Sequence, residues 1–281
     1  MATHTAASSM TVHLVTFSDE NMSRSRKLCS ESALRHGVDE VWEDTYEDLK
    51  QTNFFQGALD NPKGCGFWSW KPLVILDTLN QAQEWDMKYL IYSDAGIEFI
   101  NGVNYIIDRM DQDIFLFGNN WEHAHWCKRD VIDEVWPCAA RDIPWSGSDG
   151  SEGIWENVDT AWTRFGKQCQ ASVIFFRVSG YSKQFLAEWL KWCLFEGGRL
   201  IDDSPSRTPN HPEFQENRHD QAILTTLAYR EGIKLHYWPA VYNRGSSPEF
   251  VYEKLPEYAS DDYPVLFSHH RKRNHEWENA A

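Results

Sequence analysis

The sequence predicts an α/β protein with a mostly parallel sheet flanked by helices. Two observations lead there. Short strand-like apolar runs alternate along the chain with stretches of helical apolar spacing. One run, "KYLIYSDAGIEF" at 88–99, is nearly continuous apolar sequence, as a strand covered on both faces is. It ends in Asp94-Ala95-Gly96. In such sheets ligands sit at the carboxyl ends of strands, and Asp94 is expected at one.

Residues 11–18 (TVHLVTFS) read as the first strand, and a helix follows from Ser23 to about His36 with Ser23 as its cap. DEVWEDT (39–45) is a short second strand, and 46–66 is irregular up to Gly64-Cys65-Gly66. Pro72 to Gln83 is a helix, with Leu73, Leu76 and Leu79 on one stripe and proline in the first turn. The strand ending at Asp94 comes next, then a helix over 102–111 and a strand at 114–118. Gly, Ser, Pro and Asp make 137–160 a long loop. ASVIFFRVS (171–179) is a strand, and Ser182 to Leu194 a helix with Phe185, Leu186, Trp189, Leu190 and Cys193 on one face. After a loop at 197–215, the helix from Arg218 to Glu231 buries Ile223, Leu224, Leu227 and Ala228. KLHYWP (234–239) is the last clear strand, and 245–281 reads as mostly irregular. Residues 1–10, small and polar, are expected to be disordered, leaving 11–281 as one domain.

The 281 residues hold enough apolar material for one large domain. A formal net charge of −15 argues against a nucleic-acid binder. Basic residues nevertheless cluster at Arg24–Lys27 and Arg271–Arg273, where a phosphate-bearing small molecule could be held. Six cysteines without CxxC spacing indicate neither a zinc site nor a disulfide framework, and fit a reducing cytoplasm. No run reaches the ~18 apolar residues of a membrane span. Work at a membrane surface would need a patch or a partner.

Four segments carry candidate chemistry. Asp94 offers the carboxylate oxygen that a divalent cation bridging a diphosphate needs, with Glu98 in reach and Ala95-Gly96 letting backbone approach a ligand. The bland alternative is a turn cap. In "GCGFWSWKP" (64–72), glycine backbone and a helix start favour anions. Lys71 would meet a phosphate there, and Trp68 or Trp70 would stack on a base or sugar, unless the aromatics merely plug the helix onto the sheet. In "NRHDQAIL" (217–224), Asp220 and Gln221 fall in the first turn of a helix. They either serve that turn and its dipole, with Asn217 as cap, or project a carboxylate and an amide into a cleft. In "FSHHRKRNHEW" (267–277), His269 and His270 could complete a metal shell beside cations that neutralise a diphosphate, or belong to a solvated tail. His123 and His125 lack an evident third ligand and read as loop or pocket-wall residues. Asp202 and Asp203, the pair a hydrolase would need, lie in a polar loop.

The order of these pieces resembles the GT-A glycosyltransferases, which are nucleotide-sugar-dependent. "FWSWKPLVILDTL…YLIYSDAGIEF" in particular is similar to small microbial and viral glycosyltransferase-like proteins, over roughly 11–275. The resemblance implies a GT-A-like sheet and a nucleotide-sugar pocket of Thr16, Phe17, Ser18, Arg24, Trp68, Trp70, Lys71, Ser93 and Lys272, with Lys272 on the leaving diphosphate. Asp94 stands at the first position of the family's Asp-x-Asp metal motif and Gly96 at the second. With Gly96 in place of the second aspartate, Mn2+ or Mg2+ would be held by Asp94 and the diphosphate, alone or helped by Glu98 or by His269 or His270, or would be absent. Asp220 and Gln221 are similar to the catalytic helix start of glycogenin-like retaining transferases. The implied reaction moves a hexose or pentose from a nucleoside-diphosphate sugar to a glycan or other hydroxyl acceptor, with retention, in polysaccharide biosynthesis. The rival is a protein of the same fold that only binds the nucleotide sugar.

Overall fold

Side-chain alternation in the strands builds two cores, one on each face of a central sheet. The computed structural model describes residues 11–51, 61–137, 144–146, 152–154, 164–243, 249–260 and 262–278. The expected disordered segment 1–10 lies outside them, as does much of the expected loop at 137–160. In chain order the described elements are β1 (Val12–Ser18), α1 (Ser23–Arg35), β2 (Glu40–Thr45), α2 (Tyr46–Gln51), the single turn α3 (Gly64–Phe67), α4 (Trp70–Asn80), β3 (Tyr89–Asp94), β4 (Ile97–Phe99), α5 (Asn104–Ile107), β5 (Ile114–Glu122) and α6 (Arg129–Val135). Then come β6 (Pro144–Ser146), β7 (Glu152–Ile154), β8 (Lys167–Arg177), α7 (Gly180–Cys193), α8 (His219–Arg230), β9 (Leu235–Tyr237), β10 (Ala240–Tyr242), β11 (Phe250–Val251), β12 (Phe267–His269) and α9 (Asn274–Glu278).

The central sheet has the order β2-β1-β3-β8-β5-β9. β1 is parallel to β2 and β3, and β5 to β9, while β8 is antiparallel to both its neighbours. Five of its six strands therefore run one way, which is the mostly parallel α/β architecture expected. Val15, Phe17, Leu90, Tyr92, Ile174 and Phe176 face one core, covered by α4, α6, α7 and α8. Leu14, Ile91, Val173, Phe175, Phe115 and Phe117 face the other, covered by α1, α5 and a second sheet. Each fully buried phenylalanine contributes about 1.5–3 kcal/mol.

The second sheet, β11-β10-β12-β4, corrects the expectation of an irregular tail. β12 lies parallel to β10 and antiparallel to β4. Its three residues carry one strong apolar signal, Phe267, so its strand state depends on partners far away in sequence. The pairing continues past the strand: the backbone N–H groups of His270 and Arg271 both donate to Gly96 O, at 3.0 and 3.1 Å. The chain's C-terminal segment is thereby clamped to the turn that follows Asp94.

Other boundaries shift. The stretch 46–66 contains α2 and α3, α4 begins at Trp70, and the helix expected over 102–111 contracts to α5. Ser23 is the first helical residue of α1 rather than its cap, and makes no side-chain cap bond there. Ser179 caps α7, its hydroxyl accepting from Ser182 N at 3.1 Å. No helix among the described residues is long and apolar enough to cross a membrane.

Candidate active site

The alternation that places Leu90 and Tyr92 in one core points Asp94 to the same face, at the carboxyl end of β3. There the N-terminus of α4 delivers Lys71. Its Nζ lies 3.2 Å from Asp94 Oδ1 and 3.5 Å from Asp220 Oδ2, and donates to Ala171 O at 2.9 Å. The Lys71 and Asp220 side chains are only 4% and 5% exposed, whereas Asp94 is 28% exposed and opens to solvent. A buried ammonium is tolerable only when paired, and two carboxylates from distant segments supply the pairing. Tyr92 completes the group, its hydroxyl donating to Asp94 Oδ1 at 2.5 Å.

The charges tune one another. Burial alone would pull the Lys71 ammonium down, but Asp220 and Asp94 more than offset it, so its pKa stands above the ordinary lysine value. Burial pushes the Asp220 carboxyl up to about 6, with Lys71 pulling against it and the Asp94 charge adding to it. Asp220 Oδ2 accepts no hydrogen bond. Asp220 does not cap α8, whose N-terminus has no side-chain cap. Trp189 Nε1 donates to Asp220 O at 3.0 Å and so fixes this helix start against α7. Asn217, the expected cap, instead donates to Leu200 O.

These groups line a cleft of ≈ 500 Å³ whose wall includes Phe17, Ser18, Trp68, Trp70, Lys71, Asp94, Asp220 and Gln221. The wall segment before α4 is unusual. Gly64, Cys65, Gly66, Phe67 and Trp68 all have positive φ, from 51° to 89°. For the three non-glycine residues that left-handed turn costs about 1–2 kcal/mol each. Gly64 has no alternative, because a Cβ there would lie 2.4 Å from the Trp68 ring. His219 (φ 52°) and Arg271 (φ 52°), both in the wall, are held left-handed as well. Backbone strain gathered at one cleft is a mark of a working site. Trp70 packs tilted on Phe17, 3.8 Å between ring centroids, and is buried, so it serves chiefly as the plug, while Trp68 lies half-buried against His219.

Not every expected site residue reaches the cleft. Thr16 and Ser93 face the opposite layer, where the Cys29 thiol donates to Ser93 Oγ at 3.5 Å. Alternation from Leu14 and Ile91 accounts for both. Arg24, on α1, binds through its backbone N–H to Asn274, and Lys272 lies over the Trp277 ring at 4.6 Å; neither lines the wall. His269 is fully buried and its Nε2 accepts from Arg271 Nε at 2.7 Å. His270 Nδ1 accepts from Lys272 N at 3.0 Å, and burial, with the Lys272 charge adding, lowers its pKa to about 4. The two histidines expected as metal ligands are thus outside the cleft wall. Glu98 pairs across the second sheet with Ser268. Asp94 is left as the one expected ligand in the cleft, and its Oδ1 is already engaged by Tyr92 and Lys71. This donor set does not fit a resident divalent cation.

One group among the described residues could hold a metal ion: His125, His211 and Glu213, whose ligand atoms lie within 4.8 Å of one another. The loop after β8 and α7 supplies the partners that the sequence around His125 lacks. None of the three lines the cleft. Asp202 and Asp203 tie loops together, through Lys128 at 2.8 Å and Lys63 at 2.9 Å.

Sequence reasoning missed Lys63 and Arg218 as wall residues, while Arg271 and Arg273, from the basic run expected to meet phosphate, do line the wall. Arg218 packs its guanidinium over Trp121 and Trp126, at 4.7 and 4.5 Å. Burial holds its pKa below the ordinary arginine value, with Glu216 opposing and the Arg271 charge adding. The only sequence signal for Arg271 and Arg273 was their membership of a basic run.

No protein-family model and no curated protein matches the chain. A structure of the galactosyltransferase LgtC in complex with donor and acceptor sugar analogues is similar over 92% of this chain and 87% of its own, with TM-score 0.46 and 11% identity. An apo structure of the bifunctional glycosyltransferase WbbM is similar over 83% of this chain and 40% of its own, with TM-score 0.40 and 14% identity. Both are glycosyltransferases, the class the sequence resembles. At such values the likeness carries no weight for the site, which stands on its own side chains.

Proposed function

We propose that this chain is a glycosyltransferase that moves a sugar from a nucleoside diphosphate to a hydroxyl acceptor. The observation that carries the proposal is the convergence of Asp94, Lys71 and Asp220 in one cleft, beside Phe17 and Ser18 at the end of β1. In a mostly parallel sheet this is where ligands dock. The volume suits a small-molecule ligand, and cations and aromatics share the wall.

In the proposed reaction the bond between the anomeric carbon and the diphosphate oxygen breaks, and its electron pair leaves with the diphosphate. The acceptor oxygen bonds to the anomeric carbon and loses its proton. Asp220, whose Oδ2 faces the Lys71 ammonium at 3.5 Å but accepts no hydrogen bond, is the carboxylate assigned to the reacting carbon. It either takes that proton, or lies beneath the anomeric carbon while the proton passes to the departing diphosphate. The Asp220-Gln221 likeness favours the second course, retention of configuration. Gln221 is held by its amide donating to Gln168 Oε1 at 2.6 Å. A glycan acceptor, a role in polysaccharide synthesis and a cytoplasmic setting at a membrane surface belong to the same proposal. The first two rest on the sequence resemblance, and the cytoplasmic setting on six cysteines without CxxC spacing.

Calorimetry with a panel of UDP- and GDP-sugars, followed by assay of freed nucleotide, tests this reading. Binding with release on adding a hydroxyl acceptor is the expected result. Binding without release under any acceptor would make the chain a nucleotide-sugar binding protein. Cleavage of a glycan with no nucleotide present would favour a hydrolase using Asp94 and Asp220.

A further inference from the structure

We propose that the cleft holds the diphosphate of its donor with the guanidinium groups of Arg271 and Arg273, flanked by Arg218, in place of a divalent cation. The inference rests on the nucleotide-sugar reading above and specifies how that site manages charge.

The first support is steric. A Cβ at position 96 would lie 2.8 Å from Arg271 Cα and 3.2 Å from its backbone N. The obstacle is backbone, clamped by the two hydrogen bonds to Gly96 O. No carboxylate can stand at 96 while that clamp holds. The clamp that excludes the second acid is also what sets Arg271 into the wall. The second support is the occupancy of the first acid. Asp94 Oδ1 already takes the Tyr92 hydroxyl and the Lys71 ammonium, and a dication there would meet the Lys71 charge at short range.

The third support is the charge balance of the wall. Lys71 is matched by two carboxylates, Lys63 by Asp203 at 2.9 Å and Arg218 by Glu216 at 3.2 Å. Among the described residues no carboxylate pairs with the guanidinium of Arg271 or Arg273, though the protein carries a net charge of −15. Arg218 Nε is buried in the same wall without a hydrogen-bond partner. Two guanidinium groups without a carboxylate partner, one of them using its Nε on His269, make this wall of an acidic protein an anion site. Planar guanidinium suits phosphate oxygens because it offers parallel N–H donors.

The test is calorimetric titration of the full chain with UDP, GDP, ADP and the nucleosides alone, in EDTA and in excess manganese. The inference expects the preferred diphosphate to bind equally in both buffers. It expects Arg273→Gln, at an exposed position, to weaken that diphosphate by about tenfold or more, as for a lost bond between charged groups, while the matching nucleoside is unaffected. A merely structural arginine would not separate diphosphate from nucleoside. Binding that requires manganese overturns the inference and leaves the nucleotide reading standing. So does metal-free binding that both Arg273→Gln and Arg271→Gln leave unchanged. Failure of every diphosphate in both buffers overturns this inference and the proposed function together.

Discussion

Asp220 is a buried carboxylate whose proton is held up to about pH 6, beside an ammonium it shares with Asp94. Replacing Asp220 by Asn keeps the shape and removes the charge. Turnover is expected to fall by about two to four orders of magnitude, the range of a positioned acid–base group, in a variant that still folds. A large melting shift with intact specific activity would return Asp220 to a structural role. For the wild type, kcat/KM should rise with pH through about 6 as the Asp220 carboxylate forms, and the Asn variant should lack that limb. Asp94→Asn retains an acceptor for Tyr92 and should abolish turnover while circular dichroism stays native. Sequence spacing was enough to single out Asp94, Lys71 and Asp220. Their meeting around one nitrogen was not legible, because it joins positions 71, 94 and 220 through tertiary packing. Simple alternation sorts Phe17 from Thr16 and Asp94 from Ser93.

At the scale of elements, the strands and helices that build the central sheet were legible because each carries its own apolar period. The second sheet was not. β4, β10 and β12 are three residues each, too short to show a period, and they form only because their partners are already in place. The functional consequence is large, since β12 and the clamp on Gly96 turn an apparent basic tail into a wall of the cleft. Gly96→Ala tests that linkage. The added methyl must displace the Arg271 backbone, and overpacking of this kind costs about 1–3 kcal/mol. Urea unfolding should show a loss of that order. Nucleotide affinity should drop in the same variant, although position 96 itself offers no side chain. Unchanged stability and affinity would mean the clamp does not position Arg271. The left-handed turn over 64–68 is a second element whose conformation the sequence only hinted at, through Gly64 and Gly66. From this turn the Phe67 and Trp68 rings both pack against His219, each at 5.2 Å between ring centroids.

For the whole molecule, the balance of shifted groups sets an acid limit. Burial lowers His13 and His219, and takes His123 to about 3 and both His236 and His270 to about 4. Their stability is present above the unfolded imidazole value of about 6.5 and is lost as pH falls toward the folded values. Asp44 and Asp220, raised to about 6 chiefly by burial, act in the opposite sense, since the native state binds their protons more tightly. Five imidazoles outnumber two carboxyls, so unfolding near pH 5 should take up protons and the melting temperature should fall between pH 7 and pH 5. A melting temperature that rises across that interval would contradict this balance. The central claim is that one cleft, organised by Lys71 between two carboxylates, binds a nucleoside-diphosphate sugar and transfers the sugar. The most direct measurement is nucleotide release from the best-binding donor in the presence of acceptor, compared between wild type and Asp220→Asn. The account predicts release by the wild type and near-background release by a folded, nucleotide-binding variant. Equal release by both would contradict it.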